Sequence, residues 1–330
     1  MDSTSRLIIA LLIGLSASGC ARPQADLFRA APMAVRLVIP ASPPQAPSCS
    51  WLGVVVDNSP QARPQWGLSQ ADIVYEVPTE GMITRFLALF CNGGPDTLGP
   101  VRSLRLQFLA IAHDYGATIA HSGSSESALD ALVRGGGPVI NEFWKAQPFR
   151  RDHTRRMPHN LFTSVTQLRE YARDSRPTSD RLWDTADLAP APDAMTITVP
   201  YGWGYTVRFE YDPASGRYRR LLHDESAIDP LTGDPLEVAA VVVQYVKWWQ
   251  VYEGPVLTSR TELTGHGKMT VFAAGRQIDG TWQRLDGTRT TSWTDLAGQR
   301  MRLPPGRVWI CLLPFDRAAR VSPPPAASVR

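Results

Sequence analysis

The sequence predicts an α+β protein in which the first half mixes strands with helices and the second half is mostly strand. Two patterns carry this reading. Apolar runs of strand length occupy 52–56, 71–77 and 83–90; after them, in 103–115, Leu104, Phe108, Ile111 and Ala112 recur at the spacing of an amphipathic helix. Past residue 190, stretches rich in branched and aromatic side chains alternate with turn signals. Sheets of this kind bury their apolar faces against one another and against helices gathered on one side.

The elements follow in order. The run 52–56 ends at Asp57-Asn58, a buried strand followed by a turn. Strands 71–77 and 83–90 flank Pro78-Thr79-Glu80-Gly81, which turns the chain between them. After the helix at 103–115 come a strand at 117–120, the loop His121-Ser122-Gly123-Ser124-Ser125 and a helix at 126–133, closed by Gly135-Gly136-Gly137. A further helix covers 166–174, and 184–192 is the seam between the halves. In the second half, strands fall at 196–200, 206–211, 217–222, 238–245, 269–273, 281–285 and 308–313. Asp212-Pro213-Ala214-Ser215-Gly216 and Ala274-Gly275 are among the turns that separate them.

The ends of the chain carry a different signal. Arg6 precedes the apolar run 7–15, which is shorter than the roughly 20 residues a membrane span requires but suits the core of a signal peptide. Ala17-Ser18-Gly19-Cys20 then reads as a lipobox-like cleavage site, with the Cys20 thiol as acceptor of the lipid. The expected organisation is a signal peptide at 1–19, a proline-rich tether at 20–48, an α/β portion at 49–190, a β-rich portion at 191–315 and a disordered tail at 316–330. The address is extracytoplasmic, with the lipid on Cys20 holding the chain to a membrane. Ala21 in place of aspartate points to the outer membrane where the organism has one.

Composition narrows the partners. A net charge of +3 over 330 residues is too dilute for a nucleic-acid partner, which needs a concentrated basic face. Nearly all the positive charge is arginine; Lys145, Lys247 and Lys268 are the only lysines. With Cys20 set aside, Cys49, Cys91 and Cys311 allow at most one disulfide. Cys91 and Cys311 both close apolar runs and are expected as small buried side chains. No cofactor motif is present, and His121, His153 and His159 lack any recognised zinc spacing.

A set of short motifs resembles the YerB-like family of bacterial lipoproteins. They run in order: Asp57-Asn58, Arg63-Pro64, Gly67-Leu68, Ala71-Asp72, Val74-Tyr75-Glu76, Glu80-Gly81, Thr84-Arg85-Phe86 and Gly99-Pro100-Val101-Arg102-Ser103 with Arg105. His121-Ser122-Gly123-Ser124, Pro158-His159-Asn160-Leu161, Gly280-Thr281-Trp282 and Gly306-Arg307-Val308-Trp309-Ile310 complete the match. The resemblance implies two adjoining portions, a lipid anchor and a three-layer sandwich of two β-sheets and a helical layer. It implies no established catalytic mechanism.

Chemistry is sought among the polar residues at strand ends and loops of the first half. Glu80, in a tight turn with Arg85 just beyond it, is the candidate general acid/base; Glu76 or Asp57 would be its assisting carboxylate. Arg85, Arg102, Arg105, His121, Ser122, Ser124, His159 and Asn160 are the candidate binding residues. The bland counterpart is an internal network in which the arginines neutralise the acids. Ser124 and Ser125 precede a helix, where they cap it or leave its amides for an anion. The run Arg150 to Arg156 is either a solvated basic loop or a contact for an acidic polymer. Tyr245, Trp248, Trp249 and Tyr252 are expected to cover a core edge, with a sugar platform as the alternative.

Two function classes follow. The leading expectation is a binding or scaffolding module for a cell-wall glycan or an envelope protein, since no unambiguous catalytic motif is seen. The alternative is a peptidoglycan-cleaving enzyme, a glycosidase or lytic transglycosylase, working through Glu80. The sequence leaves open whether the protein is an enzyme.

Overall fold

The computed structural model describes residues 50–172, 193–202, 204–285, 290–301 and 305–322. The expected signal peptide, the tether and the seam at 184–192 lie outside the described residues. Strands of the first half are β1 (Leu52–Asp57), β2 (Ile73–Pro78), β3 (Thr84–Phe90), β4 (Thr118–His121), β5 (Val139–Asn141), β6 (Phe149–Arg151) and β7 (Leu161–Thr163). Its helices are α1 (Leu106–Tyr115), α2 (Glu126–Val133) and α3 (Val165–Arg169). The second half opens with β8 (Thr196–Gly202), β9 (Tyr205–Asp212), β10 (Arg217–Leu222), β11 (Glu225–Ser226), β12 (Glu237–Val238) and β13 (Ala240–Val246). It continues through β14 (Trp248–Glu253), β15 (Val256–Thr261), β16 (Gly265–Ala273), β17 (Arg276–Arg284), β18 (Ser292–Asp295), β19 (Val308–Pro314) and β20 (Arg320–Ser322).

The architecture is mostly β with few helices. A ten-stranded sheet runs in the order β18-β17-β16-β13-β19-β2-β3-β1-β4-β5, so both halves of the chain build it. Strands β4 and β5 run parallel to β1, and β13 and β19 parallel to β2. Because β3 is antiparallel to both β1 and β2, all six of these strands end on one edge of the sheet. In open sheets with parallel strands that edge commonly carries the site.

Both faces of the sheet are covered, which is why β1, β2 and β3 are buried at every position. Val54, Val56, Val74, Phe86 and Trp309 point into one core, shared with Ile197, Val199, Val207, Phe209 and Tyr218 of the second, six-stranded sheet (β11-β10-β9-β8-β20, with β12). Val55, Tyr75, Leu87, Leu89 and Ile310 point into the other, shared with Phe108 and Ile111 of α1 and Ala128 of α2. The period-2 alternation of each central strand thus separates two apolar clusters. Burying each large side chain contributes about 1.5–3 kcal/mol.

Differences from the expected elements have local causes. Helix α1 starts at Leu106, not at 103, because Leu104 is held extended: its amide donates to the Gly123 carbonyl and its carbonyl accepts from the Ser125 amide. Gly116, at φ 63°, ends α1 in the left-handed conformation, its amide bonding back to Ala112 and His113. Helix α3 stops at Arg169, short of the expected 166–174. Cys91 is half-buried and disulfide-bonded, where a small buried side chain was expected, whereas Cys311 is a buried free thiol. Within the span expected to be a disordered tail, β20 adds an edge strand to β8, with Val321 paired to Ile197.

Candidate functional site

The shared carboxyl edge gathers most of the predicted polar set. Asp57 closes β1 and lies directly across from Arg85 of β3. Its Oδ1 accepts the Ser59 amide at 2.9 Å, and its Oδ2 lies 3.1 Å from Arg102 Nε and 2.7 Å from His159 Nδ1. Burial raises the Asp57 pKa, but the Ser59 amide, Arg102, His159 and Arg85 outweigh it and hold the carboxyl below its usual range. An ionised Asp57 fixes the His159 tautomer, with Nδ1–H donating to it. Ser59 Oγ also approaches Nδ1, at 3.2 Å. A serine-hydrolase relay needs the serine at the opposite ring nitrogen, so this trio is not one.

Glu80 follows β2 in a single 3-10 turn and sits in a clamp of two arginines. Arg105 donates to both carboxylate oxygens, at 2.6 and 3.3 Å, and Arg85 Nη2 lies 3.5 Å from Oε2. Thr258 of β15 donates to Oε1 at 3.3 Å, so the β14–β15 hairpin covers it from above. Burial raises the carboxyl's pKa, but the Arg105 hydrogen bond and the charges of Arg85 and Arg105 reverse the sign and lower it. A general acid requires the opposite shift, so the clamp holds Glu80 as a carboxylate. Arg85 shows the strain of the crowd: burial first, then its neighbour Arg105, lower its pKa to about 10, still cationic at neutral pH.

Glu76 stands apart from Glu80. It lies on the opposite face of β2, fully sealed, where Trp309 Nε1 donates at 2.9 Å, Thr84 Oγ1 at 3.0 Å, Tyr205 Oη at 2.5 Å and Arg220 Nη2 at 3.3 Å. Asn58 donates to Tyr205 Oη at 2.6 Å and takes hydrogen bonds from Arg63 and Gln65 on its own Oδ1. Among the described residues the two glutamates therefore share no partner, because the alternation of β2 turns Glu76 to the other face of the sheet.

His121 closes β4 but is fully buried, with its ring bonded to the Gly123 carbonyl at 2.8 Å and Nε2 without a hydrogen-bond partner among the described residues. Burial lowers its pKa to about 4, so the ring is neutral and shapes the loop. Ser122 Oγ donates to Glu142 at 2.5 Å, Glu142 accepts from Arg151 at 2.7 Å, and Arg151 donates to Asn160 at 3.1 Å. That chain ties Ser122 to Asn160, the neighbour of His159. Ser124 pairs with Leu104 through its backbone, and Ser125 supplies the cap of α2, accepting the Ala128 amide. The anion at the N-terminus of α2 is the protein's own: Glu253 of β14 accepts the Ser127 amide at 3.0 Å and its hydroxyl at 2.7 Å, and pairs with Arg260.

The basic run is largely engaged. Arg150 donates to the Asp96 carbonyl, Arg151 pairs with Glu142, and Arg155 donates to the Ala62 and Pro64 carbonyls. Trp248, Trp249 and Tyr252 form β14 instead of a core edge; Tyr252 is 71 % exposed. Sequence reading missed Arg220, Tyr205 and Glu142. A signal for Arg220 existed: it shares the inward face of β10 with Tyr218, an apolar-face position that a charge occupies only when paired. Among the described residues no cluster of three or more His, Cys, Asp or Glu could hold a metal, and no helix is long and apolar enough to cross a membrane.

Residues 41–178 match the family described as "Protein of unknown function (DUF3048) N-terminal domain", and residues 197–310 match its C-terminal domain. "Putative lipoprotein YerB" from Bacillus subtilis (strain 168) is 31% identical over 280 residues, which is 82% of this chain and 83% of that protein. The crystal structure of YerB from Bacillus subtilis superposes with a TM-score of 0.73 at 27% identity, covering 86% of this chain and 97% of that one.

Proposed function

The chain belongs to the two-part DUF3048 family, and from that footing we propose that it is a lipid-anchored binding or scaffolding module of the cell envelope. In this reading residues 1–19 direct export, Cys20 takes the lipid, and 20–48 lift the folded part off the membrane. The relative named a lipoprotein supports the anchor. The two cores on opposite faces of the large sheet support the finer expectation of two sheets and a helical layer.

The observation that carries the binding reading is the state of the carboxylates. Asp57 and Glu80 are held ionised by arginines, and Glu76 is sealed behind Tyr205, Trp309 and Arg220. Neither Asp57 nor Glu80 is poised to donate a proton. At the edge the Arg102 side chain is 24% exposed and His159 18%, beside Glu80 at 20%, whose charge Arg85 and Arg105 offset. Their ion pairs fix these donors in place, which lowers the cost of ordering them on binding. The ligand this lip suits is a carboxylate or phosphate of a wall polymer, or an acidic surface of an envelope protein.

The test is sedimentation of the detergent-solubilised full chain with purified cell-wall sacculi. Saturable binding that weakens in Arg102→Ala, with no soluble fragments released, is the expected result. Fragments that disappear in Glu80→Gln would instead establish the glycosidase alternative.

A further inference from the structure

A second cleft lies on the same sheet edge, several strands away from Asp57. It has a volume of ≈ 450 Å³ and opens where β13 and β19 end and β16 begins. Its apolar wall is aromatic: Tyr245, the Trp282 indole and Phe315, the last 67% exposed. Its charged wall holds Lys247 and Lys268, whose ammonium nitrogens lie 5.4 and 5.7 Å from the Trp249 and Tyr245 ring centroids, and Arg317, whose guanidinium packs against Gly202. Among the described residues, none of these three has a carboxylate within ion-pair distance, although Glu262 also lines the cleft. Two of the chain's three lysines are here, in a protein that otherwise uses arginine.

The wall is built and fixed. The Trp282 indole N–H donates to the Tyr245 carbonyl at 2.8 Å, the Phe315 amide to the Val246 carbonyl at 2.9 Å, and the Glu262 amide to the Lys247 carbonyl at 2.9 Å. Three successive carbonyls of β13 and its exit are therefore tied to three separate segments. Gly267 lies opposite Trp282 in the β16–β17 ladder, and a Cβ there would meet the indole nitrogen at 2.5 Å. The glycine is what lets the indole lie across β16.

We propose that this cleft binds an acidic saccharide: a sugar ring that stacks on Tyr245, Trp282 or Phe315 and carries a carboxylate or phosphate to Lys247, Lys268 and Arg317. Aromatic faces match the apolar faces of a pyranose, and cations without a carboxylate partner select for charge over a neutral sugar. The inference goes beyond the binding reading given above and uses none of its residues.

Isothermal titration of the detergent-solubilised full chain tests it, with trigalacturonate as the carboxylate probe, glucose 6-phosphate as the phosphate probe and maltotriose as the neutral one. Saturable binding of an acidic probe is expected, weakened about tenfold or more in Lys247→Gln/Lys268→Gln. Phe315→Ala should weaken it further, and maltotriose should bind about tenfold worse or not at all. Whichever acidic probe saturates identifies the charged group. These surface substitutions leave the core untouched, and a thermal melt of each variant checks that. The proposal is overturned if neither acidic probe saturates at millimolar concentration, if the double lysine variant binds unchanged, or if maltotriose binds equally well. Retained binding in Arg102→Ala separates this cleft from the other edge site.

Discussion

Glu76 and Arg220, 144 residues apart in the chain, form an ion pair at 3.3 Å with side-chain exposures of 0% and 3%. Arg220 also stacks over Trp309, its guanidinium carbon 4.7 Å from the ring centroid, and donates to Tyr205 Oη at 2.9 Å. Two strands of the first half and three of the second thus meet at a single buried carboxylate. The two family portions share this hub as well as a sheet.

Breaking that pair should be expensive. Arg220→Met leaves the sealed Glu76 carboxyl without its cation and is expected to cost about 3–5 kcal/mol in denaturant unfolding of the full chain. Adding Glu76→Gln should not double the loss, because the two groups act on each other; a coupling of about 0.5–3 kcal/mol is expected. Strictly additive losses would mean that the hub is not cooperative.

His121 should make the fold acid-sensitive over a defined window. Its folded pKa is lowered from 6.5 to about 4 by burial, so the unfolded chain binds a proton before the folded one does. The folded state therefore gains nothing from this residue above pH 6.5 and loses stability as pH falls from there to about 4. The loss is on the order of 3 kcal/mol, and His121→Gln, which keeps a donor for the Gly123 carbonyl, should remove it. Melting curves at pH 7 and pH 5 measure this. An unchanged pH dependence in the variant would refute the assignment.

Cys91 is disulfide-bonded and Cys311 is free. If lipid occupies Cys20, only Cys49 remains as the partner. The surroundings fit that pairing: the Arg169 guanidinium donates both to the Ser50 carbonyl at 2.8 Å and to the Gly93 carbonyl at 2.7 Å, bringing the flanks of Cys49 and Cys91 together. Non-reducing peptide mapping is expected to recover the Cys49–Cys91 cross-link, and any pairing with Cys311 contradicts the structure.

Asp229 is a third clasp between the halves. Fully buried, it accepts the amides of Gly67, Ser69 and Leu231, each at 2.9 Å. Asp229→Asn turns one acceptor into a donor facing an amide, and the expected cost is about 1–3 kcal/mol. A melting temperature indistinguishable from the parent would show that the loop does not depend on it.

The sequence by itself determined the strand and helix types through their periods, and the local devices around them: the serine ahead of α2 and the turn holding Glu80. Each depends on side chains within a few residues of one another, so spacing alone expresses it. Tertiary structure decided which polar residues share a face. Pleating sends Glu76 toward Trp309 and Asp57 toward Arg102, although both looked like members of one set. Arg220 is far from Glu76 in the chain, and Glu253 reaches the α2 terminus from a hairpin in the other half. Charge compensation acts through space over a few ångströms, and no pattern along one chain records which distant residue arrives within that distance.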